Sequence, residues 1–367
     1  MSNSIDTFKK VLAESVQANA SDVHLCVGSL WKQRLDGHIK PINTIKPLEE
    51  IECREIVQHI LLNNTRVQKD EIDNAINTLQ DIDCAYYLAG VSRFRVNICR
   101  QRGSFSITLR VIPFEIPTID TLGLPEVIKN ISLEERGLIL VTGITGSGKT
   151  TTLAAMINLL NQTKPCKIVT IEDPIEYLHK EINASIIQRE IGHDTKSFST
   201  ALRAALRQDP DVILVGEMRD TTTIDIALKA AETGHLVLST LHTTDAPKTI
   251  QRTISAFELS QQQAVRIRLA EALKAVISQR LLRRKDNSGR VAVLEVMRNT
   301  LTIKDCIENP DKTLAIKDFI SAGKDQYGMQ TFDQHLTELF NQGIIDLETA
   351  KSAATSASDF ERSVMFY

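Results

Sequence analysis

The fold is decided by one stretch near the middle of the chain, Leu138-Ile139-Leu140-Val141-Thr142-Gly143-Ile144-Thr145-Gly146-Ser147-Gly148-Lys149-Thr150. Its last eight residues match the pattern G-x-x-x-x-G-K-[ST], in which a glycine-rich loop joins a strand to a helix. The apolar run before the loop predicts the strand, and residues 151–160 predict the helix. Because glycine lets the backbone curl, successive N–H groups can point at phosphate oxygens, and the helix N-terminus adds partial positive charge. The stretch therefore predicts a phosphate-binding loop.

The residues of this loop have distinct predicted roles in binding a nucleotide. Lys149 is expected to reach the β- and γ-phosphates, and the hydroxyl of Thr150 to ligate Mg²⁺. The alternative is a glycine-rich turn with an exposed lysine, which does not explain why the whole pattern occurs together. ATP and Mg²⁺ are therefore the predicted cofactors. The residues predicted to contact the nucleotide are Gly143, Ile144, Thr145, Gly146, Ser147, Gly148, Lys149, Thr150 and Thr151.

Strand and helix patterns alternate after this loop. Three more short runs, rich in β-branched residues, lie at 168–171, 212–215 and 236–241. Such runs with helical patterns between them predict an α/β fold with a parallel sheet covered on both faces. A later helix is predicted to begin at Ser260, with Gln263 completing a capping box. Its apolar stripe is predicted to comprise Val265, Leu269, Leu273, Val276 and Leu281.

Charged side chains follow these strands, at the sheet edge where open α/β folds bind their ligands. Glu172, Asp173 and Glu176 follow the second strand, Glu217 follows the third and His242 the fourth. A nucleotide hydrolase needs a carboxylate that orients or deprotonates water, and others that hold Mg²⁺ directly or through water. Ordinary solvated acids and a packed histidine are the alternative, but groups after three strands favour a catalytic cluster. The residues predicted to hold Mg²⁺ are Thr150, Glu172 and Asp173.

The first region, residues 1–112, combines helical and strand patterns. Apolar and polar residues alternate at 94–98 and at 105–111, which predicts an antiparallel strand pair joined near Gly103. Arg93, Arg95 and Arg110 then fall on the polar face of this pair. Surface arginines are common on strands. The sharper interpretation is that these arginines neutralise γ-phosphate charge in the transition state, in their own chain or in a neighbour.

Composition excludes several classes of protein. The chain has 367 residues, with 43 Lys and Arg against 46 Asp and Glu, a net charge of −3. This balance argues against a dedicated nucleic-acid binder, which normally has a strongly basic domain. The apolar runs are far shorter than the roughly 20 residues of a membrane span, and the first residues lack a secretory signal pattern. The six cysteines have no zinc-site spacing. We therefore expect a reduced, cytoplasmic location and no transmembrane segment.

Breaker residues predict the domain boundaries. Pro113, Pro117, Gly123 and Pro125 interrupt any regular element, so residues 113–125 are predicted to form a linker. The alternating strands and helices occupy residues 126–285. After a turn at 286–289 and a strand-like run at 291–296, residues 286–367 are predicted to form a mostly helical region.

Several motifs together resemble those of one family. They are Ala20-Ser21-Asp22-Val23-His24-Leu25, Arg93-Phe94-Arg95-Val96-Asn97, Arg110-Val111-Ile112-Pro113, an Asp box at Ile171-Glu172-Asp173-Pro174-Ile175-Glu176, an atypical Walker B from Asp209-Pro210-Asp211-Val212 to Gly216-Glu217-Met218-Arg219-Asp220, and a His box from Gly234-His235 to His242-Thr243. By these motifs the sequence is similar to the retraction ATPases of bacterial type IV pili, the PilT and PilU group of the type II/IV secretion ATPase superfamily. The resemblance covers nearly the whole chain.

The resemblance implies both a fold and a function. The fold would be a PAS-like α+β domain at 1–112, a RecA-like P-loop core at 126–285 and a helical C-terminal region. The function would be that of a homo-hexameric ATPase motor, which drives pilus retraction through an inner-membrane platform protein and is peripheral to that membrane. By the same resemblance, Glu217 would be the Walker-B glutamate, Glu176 a general base and His242 the His-box histidine. Arg95 and Arg110 would contact the γ-phosphate.

Two other functions stay open at this point. The retraction signature of PilT proteins, AIRNLIRE, is degenerate at residues 302–309. An accessory PilU-like ring subunit that works with a paralogous retraction ATPase and hydrolyses little ATP is therefore an alternative. A RecA-like DNA motor is the other, although it would require a basic channel that the charge balance does not favour. The assembly ATPases of the superfamily carry a four-cysteine zinc site, which is missing here, so retraction is favoured over assembly.

Overall fold

The computed structural model describes residues 2–35, 37–42, 46–63, 72–112 and 115–365. The chain forms two compact units. The first unit contains the residues up to Glu115 and two short later segments, Pro174–Leu178 and Glu190–Asp194. The second unit contains Ile116–Asp173, His179–Arg189 and the residues from Thr195 onward. Both units combine helices with a β-sheet, so the predicted α/β class is confirmed.

Within the described residues, the first unit consists of one antiparallel sheet and three helices. The helices are α1 (Ser2–Gln17), α2 (Glu50–Leu62) and α3 (Ile72–Thr78). The strands are β1 (Asp22–Cys26), β2 (Lys32–Leu35), β3 (His38–Pro41), β4 (Asp81–Leu88), β5 (Ser92–Gln101) and β6 (Ser104–Ile112). Their order in the sheet is β3-β2-β1-β6-β5-β4.

The predicted strand pair around Gly103 is confirmed as β5 and β6. Gln101 lies opposite Ser104, and the two residues between them, Arg102 and Gly103, have φ values of 49° and 81°. A two-residue turn with positive φ at both positions matches the right-handed twist of the strands that it joins. Alternate apolar side chains of both strands pack in a core with α1 and α2. The polar residues between them, including the arginines, therefore lie on the opposite face of the sheet.

The second unit is built on a larger sheet with helices around it. Within the described residues its strands are β7 (Gly137–Thr142), β8 (Lys167–Glu172), β9 (Ser185–Glu190), β10 (Val212–Val215), β11 (Leu236–Leu241), β12 (Leu273–Arg283) and β13 (Arg290–Arg298). Their order is β13-β12-β7-β11-β10-β8-β9. The four strands predicted from sequence, β7, β8, β10 and β11, are parallel neighbours, as expected.

Helices cover this sheet and form most of the end of the chain. The first six are α4 (Val127–Ser132), α5 (Lys149–Thr163), α6 (Phe198–Ala205), α7 (Thr221–Glu232), α8 (Ala246–Ser255) and α9 (Leu259–Ala272). The last six are α10 (Leu301–Glu308), α11 (Ile316–Ala322), α12 (Lys324–Tyr327), α13 (Phe332–Asn341), α14 (Leu347–Ala353) and α15 (Ala357–Met365). No helix in the described part of the chain is both long and apolar enough to cross a membrane.

The prediction for the helix near Ser260 is wrong in two respects. The helix, α9, begins after Glu258, and no side chain caps its N-terminus. It also ends at Ala272, and the predicted stripe beyond it lies on strand β12, which pairs with β7 and β13. The Asn299 side chain accounts for this end, because its Nδ2 donates to the carbonyls of Ala270 and Leu273, each at 2.8 Å. The domain boundaries at 112, 125 and 285 stay predictions, and the last of them separates two strands of one hairpin, β12 and β13.

Candidate active site

The predicted phosphate-binding loop joins β7 to α5, as the sequence pattern requires. Gly143, Gly146 and Gly148 have φ values of 145°, 79° and 89°, a region that side chains rarely adopt. A Cβ atom on Gly143 would lie 2.4 Å from the carbonyl oxygen of Gln279, and one on Gly148 would lie 2.7 Å from the Gln279 Nε2. Both positions therefore need glycine for space as well as for conformation.

A buried glutamine of β12 holds the loop in place. Gln279, 3% exposed, donates from Nε2 to the Ser147 carbonyl at 2.8 Å and accepts at Oε1 from the Thr152 hydroxyl at 2.7 Å. One side chain thus connects the loop and the first turn of α5 to a neighbouring strand. Sequence reasoning missed Gln279, because residues 273–281 were assigned to a helix. The indication in the sequence that could have identified Gln279 was its position as a lone polar residue inside an apolar run.

The loop carries a cation and an unpaired hydroxyl. Lys149, 8% exposed, lies against its own loop, and its Nζ donates to the carbonyls of Gly143 at 2.8 Å and Ile144 at 3.1 Å. The buried Ser147 Oγ has no hydrogen-bond partner in the described part of the chain. A buried hydroxyl normally has a partner, so a lysine, a free hydroxyl and a helix N-terminus together suit a bound phosphate group. Ile144, Thr145 and Gly146 form the exposed tip of the loop, and Thr150 and Thr151 are half-buried at the start of α5.

Glu217 and His242, which follow neighbouring strands, meet at the same edge of the sheet. His242 Nε2 lies 3.2 Å from Glu217 Oε1, and Arg219 Nη2 lies 2.8 Å from Glu217 Oε2. Burial favours the neutral form of Glu217, but the hydrogen bond and charge of Arg219, together with His242, outweigh it and hold the pKa of Glu217 below its ordinary value. Glu217 is therefore ionised near neutral pH and can accept a hydrogen bond from water. Sequence reasoning did not foresee Arg219 in this cluster.

The two acids predicted to hold Mg²⁺ differ in their surroundings. Glu172, the last residue of β8, is 8% exposed and accepts from the Thr170 hydroxyl at 2.6 Å and from Gln188 Nε2 at 3.1 Å. Asp173 is exposed. In the part of the chain that the structure describes, no group of three or more His, Cys, Asp or Glu residues is arranged to hold a metal ion. The magnesium role of Thr150, Glu172 and Asp173 stays a prediction.

The first unit brings together the predicted arginines and Glu176. Arg95 on β5 lies opposite Arg110 on β6, and Arg110 lies opposite Asp22 on β1. Each arginine contacts a different carboxylate. Arg110 Nε donates to Asp22 Oδ1 at 3.0 Å, and Arg95 Nη1 lies 3.6 Å from Glu176 Oε1. We call the cross-strand set Asp22, Arg110 and Arg95 the arginine row. In this structure each predicted γ-phosphate contact is therefore already paired with an acid.

The chain is similar to known proteins over most of its length. The family model described as type II/IV secretion system protein matches residues 2–336. The chain is 44% identical to the type IV pilus retraction ATPase PilT of Pseudomonas aeruginosa, over 96% of this chain and 99% of that protein. It is 39% identical to the type IV pilus ATPase PilU of the same organism, over 96% of this chain and 90% of that protein.

A solved structure shows the same fold. The crystal structure of the pilus retraction motor PilT with bound ADP superposes with a TM-score of 0.87 at 42% identity, over 96% of this chain and 98% of that one. The chain belongs to the type II/IV secretion ATPase family, within its group of type IV pilus retraction ATPases.

Proposed function

We propose that this chain is a motor that hydrolyses ATP at its glycine-rich loop and uses the energy to drive type IV pilus retraction. The observation that carries this proposal is the loop between β7 and α5, with its constrained glycines, buried Lys149 and unpaired Ser147 hydroxyl. Similarity to PilT over nearly the full length of both chains supports the coupling of hydrolysis to retraction. The inner-membrane platform protein is the proposed partner, on the cytoplasmic side of that membrane.

Residues of the second unit would bind the nucleotide and activate the attacking water. Lys149 and the backbone N–H groups of the loop bind the β- and γ-phosphates. Glu217, ionised and held by Arg219, orients the attacking water, and His242 connects Glu217 to the end of β11. A bound Mg²⁺ would neutralise charge on the phosphate oxygens, and Thr150, Glu172 and Asp173 are the residues proposed to hold it.

The residues of the first unit would complete the reaction. Glu176 is proposed as the general base, and Arg95 and Arg110 as the groups that neutralise the γ-phosphate in the transition state. To do so, both arginines must leave the carboxylates that they contact in this structure. We propose that assembly into a homo-hexamer and nucleotide binding drive this exchange of partners, in the same chain or from a neighbouring one.

The first experiment is the ATP turnover rate per chain as a function of protein concentration. A motor whose site is completed on assembly should show a rate that rises steeply with concentration and then saturates. A rate near zero at every concentration would contradict an autonomous motor. It would favour the accessory ring subunit, a role that the similarity to PilU suggests.

A second experiment separates the motor from the accessory subunit in cells. Pilus retraction is measured in a strain whose only copy of this protein carries Glu217→Ala. Loss of retraction, with normal protein levels, supports the motor. Retention of retraction would mean that a paralogous ATPase supplies the work, and the motor role would be abandoned.

A further inference from the structure

Glu190, which neither the motifs nor the proposed mechanism uses, ends β9 as a buried carboxylate. It is 1% exposed. Its Oε2 accepts from Arg93 Nη2 and from the backbone N–H of Ile175, the latter at 3.1 Å. The other oxygen, Oε1, and the Arg93 Nε are buried without a hydrogen-bond partner in the described part of the chain. Removing a partner from a buried carboxylate leaves its charge uncompensated, which is strongly destabilising. The position of Glu190 therefore depends on both Arg93 and the Ile175 N–H.

The two partners of Glu190 lie on different parts of the first unit, one on strand β5 and the other in the segment that carries Glu176. Arg93 is on β5, two residues before Arg95, so both arginines lie on the same face of the sheet. Ile175 immediately precedes Glu176 in the Pro174–Leu178 segment, which belongs to the first unit. Two arginines on the same face of β5 therefore contact two acids: Arg93 contacts Glu190, and Arg95 contacts Glu176.

The backbone of Glu190 is itself fixed, independently of its side chain. Its N–H donates to Asp194 Oδ2 at 2.8 Å, and the N–H of Asp194 donates to the Glu190 carbonyl, also at 2.8 Å. Gly192, with a φ of 78°, closes this turn. A carboxylate on so constrained a turn is a firm anchor for the amide that it binds.

We propose that Glu190 is a positioning residue, which fixes the segment that carries Glu176 by binding the Ile175 N–H and Arg93 together. This inference rests on the proposed function, because it assigns the placement of the general base. The bound amide belongs to Ile175, the residue immediately before the base, so loss of the anchor lets the Glu176 carboxylate move away from its working position. A displacement of about 1 Å in a catalytic group can cost on the order of 100-fold in rate.

The test compares Glu190→Gln with a matched control, Glu181→Gln. Glutamine at 190 can still offer one oxygen to the Ile175 N–H and to Arg93 Nη2, which share Oε2. It removes the negative charge that holds the Arg93 guanidinium, and it puts an NH2 group at the buried position of Oε1, which has no hydrogen-bond partner in the described part of the chain. Glu181 is also a carboxylate that accepts from a backbone N–H, that of Ile186 at 2.8 Å, and it accepts from the Ser185 hydroxyl at 2.9 Å. Both of these partners lie outside the Pro174–Leu178 segment. Three quantities are measured on full-length protein: kcat and KM for ATP, the affinity for a fluorescent ADP analogue, and amide hydrogen exchange at residues 175–178.

The expected result is that the substitution slows the chemical step but leaves nucleotide binding nearly unchanged. Glu190→Gln should lower kcat by about tenfold or more, leave ADP affinity within about twofold, and speed amide exchange at 175–178 by about tenfold. Glu181→Gln should leave kcat unchanged and speed exchange only near Ile186. A folded Glu190→Gln protein with unchanged kcat, or with unchanged exchange at 175–178, would overturn the inference.

Two further measurements keep the inference separate from folding and from the proposed function. If Glu190→Gln does not fold, Arg93→Lys tests the same contact, because it keeps the charge but loses the guanidinium geometry. It should give the same faster exchange at 175–178, and unchanged exchange there would overturn the inference. If the native protein hydrolyses no ATP, the proposed function fails, while hydrogen exchange still decides whether Glu190 anchors the segment.

Discussion

The phosphate-binding loop of the second unit and the arginine row of the first are held in place by different means. The loop is fixed by its own glycine backbone and by neutral, buried hydrogen bonds to Gln279. The arginine row is fixed by ion pairs, and Arg110 is 67% exposed. In the proposed mechanism, the loop therefore keeps its backbone shape when it binds phosphate, whereas Arg95 and Arg110 exchange one anionic partner for another.

The energies of the two arrangements explain this difference. Buried hydrogen bonds are expensive to break, because a buried group that is left unpaired costs about 1–3 kcal/mol. An exposed ion pair contributes only about 0–1 kcal/mol, since water screens it. The first arrangement suits a loop that keeps its shape in every turnover of the proposed mechanism, and the second suits arginines that move in every turnover of it.

The largest expected effect comes from removing the cation of the loop. Lys149→Ala should reduce ATP turnover by about 10³-fold, because the transition state loses a preorganised charge in a water-poor site. A suitable control is Lys164→Ala, since Lys164 Nζ also donates to a backbone carbonyl, that of Leu133, but lies at the far end of α5. Steady-state turnover measures both. If Lys149→Ala kept more than a tenth of the native rate, the loop would not be the reaction site.

The next largest effect is a pH dependence of the stability of the protein, which comes from a buried carboxyl group in the second unit. Glu295 on β13 is 3% exposed, and burial raises its pKa from 4.5 to about 7, although it accepts from the Ala246 N–H at 2.8 Å. Between pH 4.5 and 7 the folded protein then binds more protons than the unfolded chain, so stability falls as the pH rises. The whole contribution is about 3 kcal/mol.

Glu295→Gln isolates this contribution, because glutamine can still accept from the Ala246 N–H but does not ionise. The variant should gain stability relative to the native protein as the pH rises from 5 to 8, measured by thermal unfolding. Glu181→Gln should show no such trend, because hydrogen bonds from Ile186 and Ser185 lower the pKa of Glu181 below the range tested. A difference between Glu295→Gln and native protein that does not change with pH would show that the carboxyl of Glu295 is ionised when buried.

The support under the loop can be broken without touching the phosphate site. Gln279→Leu keeps the volume of the side chain but leaves the Ser147 carbonyl without its donor, at a cost of about 2 kcal/mol in the free energy of unfolding. Nucleotide affinity should also fall, by about tenfold. Gln330→Leu is the matched control, since Gln330 is also buried and donates to a backbone carbonyl, that of Leu294 on β13. It should lose stability but keep its affinity for a fluorescent ADP analogue, and equal affinities of the two variants would exclude a bracing role for Gln279.

The same contrast explains what sequence could and could not predict. The loop and its four parallel strands followed from local signals, namely short β-branched runs and a glycine pattern with one structural meaning. Glu217 and His242 could be placed together because parallel strands end at one sheet edge. β12 was missed because a strand that is buried on both faces has a continuous apolar run, and its residues happened to continue the stripe of α9.

Gln279 and Glu190, which support the candidate site, could not be predicted from the sequence for a different reason. Gln279 lies 132 residues from Ser147, and Glu190 lies 97 residues from Arg93. Nothing in the local sequence marks such partners, because their contacts depend on how the two sheets fold. The arginines were predicted to lie on one strand face, and they do. That each is paired with its own carboxylate could not be predicted, since Asp22 reaches Arg110 only through the pairing of β1 with β6.

The smallest effect tests whether the ion pairs of the arginine row compete with ATP. Asp22→Asn removes the charge that holds Arg110, so Arg110 is freer to contact a γ-phosphate. The KM for ATP should fall by about two- to fivefold, because the arginine of this pair is exposed and water screens its charge, although Asp22 is only 7% exposed. Asp83→Asn is the matched control, because Asp83 lies on β4 of the same sheet and accepts from Asn97 Nδ2 on β5. Raising the salt concentration should shrink the difference between Asp22→Asn and native protein, since salt weakens the same pair. A higher KM in Asp22→Asn would reverse the interpretation: Asp22 would then orient Arg110 toward the nucleotide, and the first unit would be as preorganised as the loop.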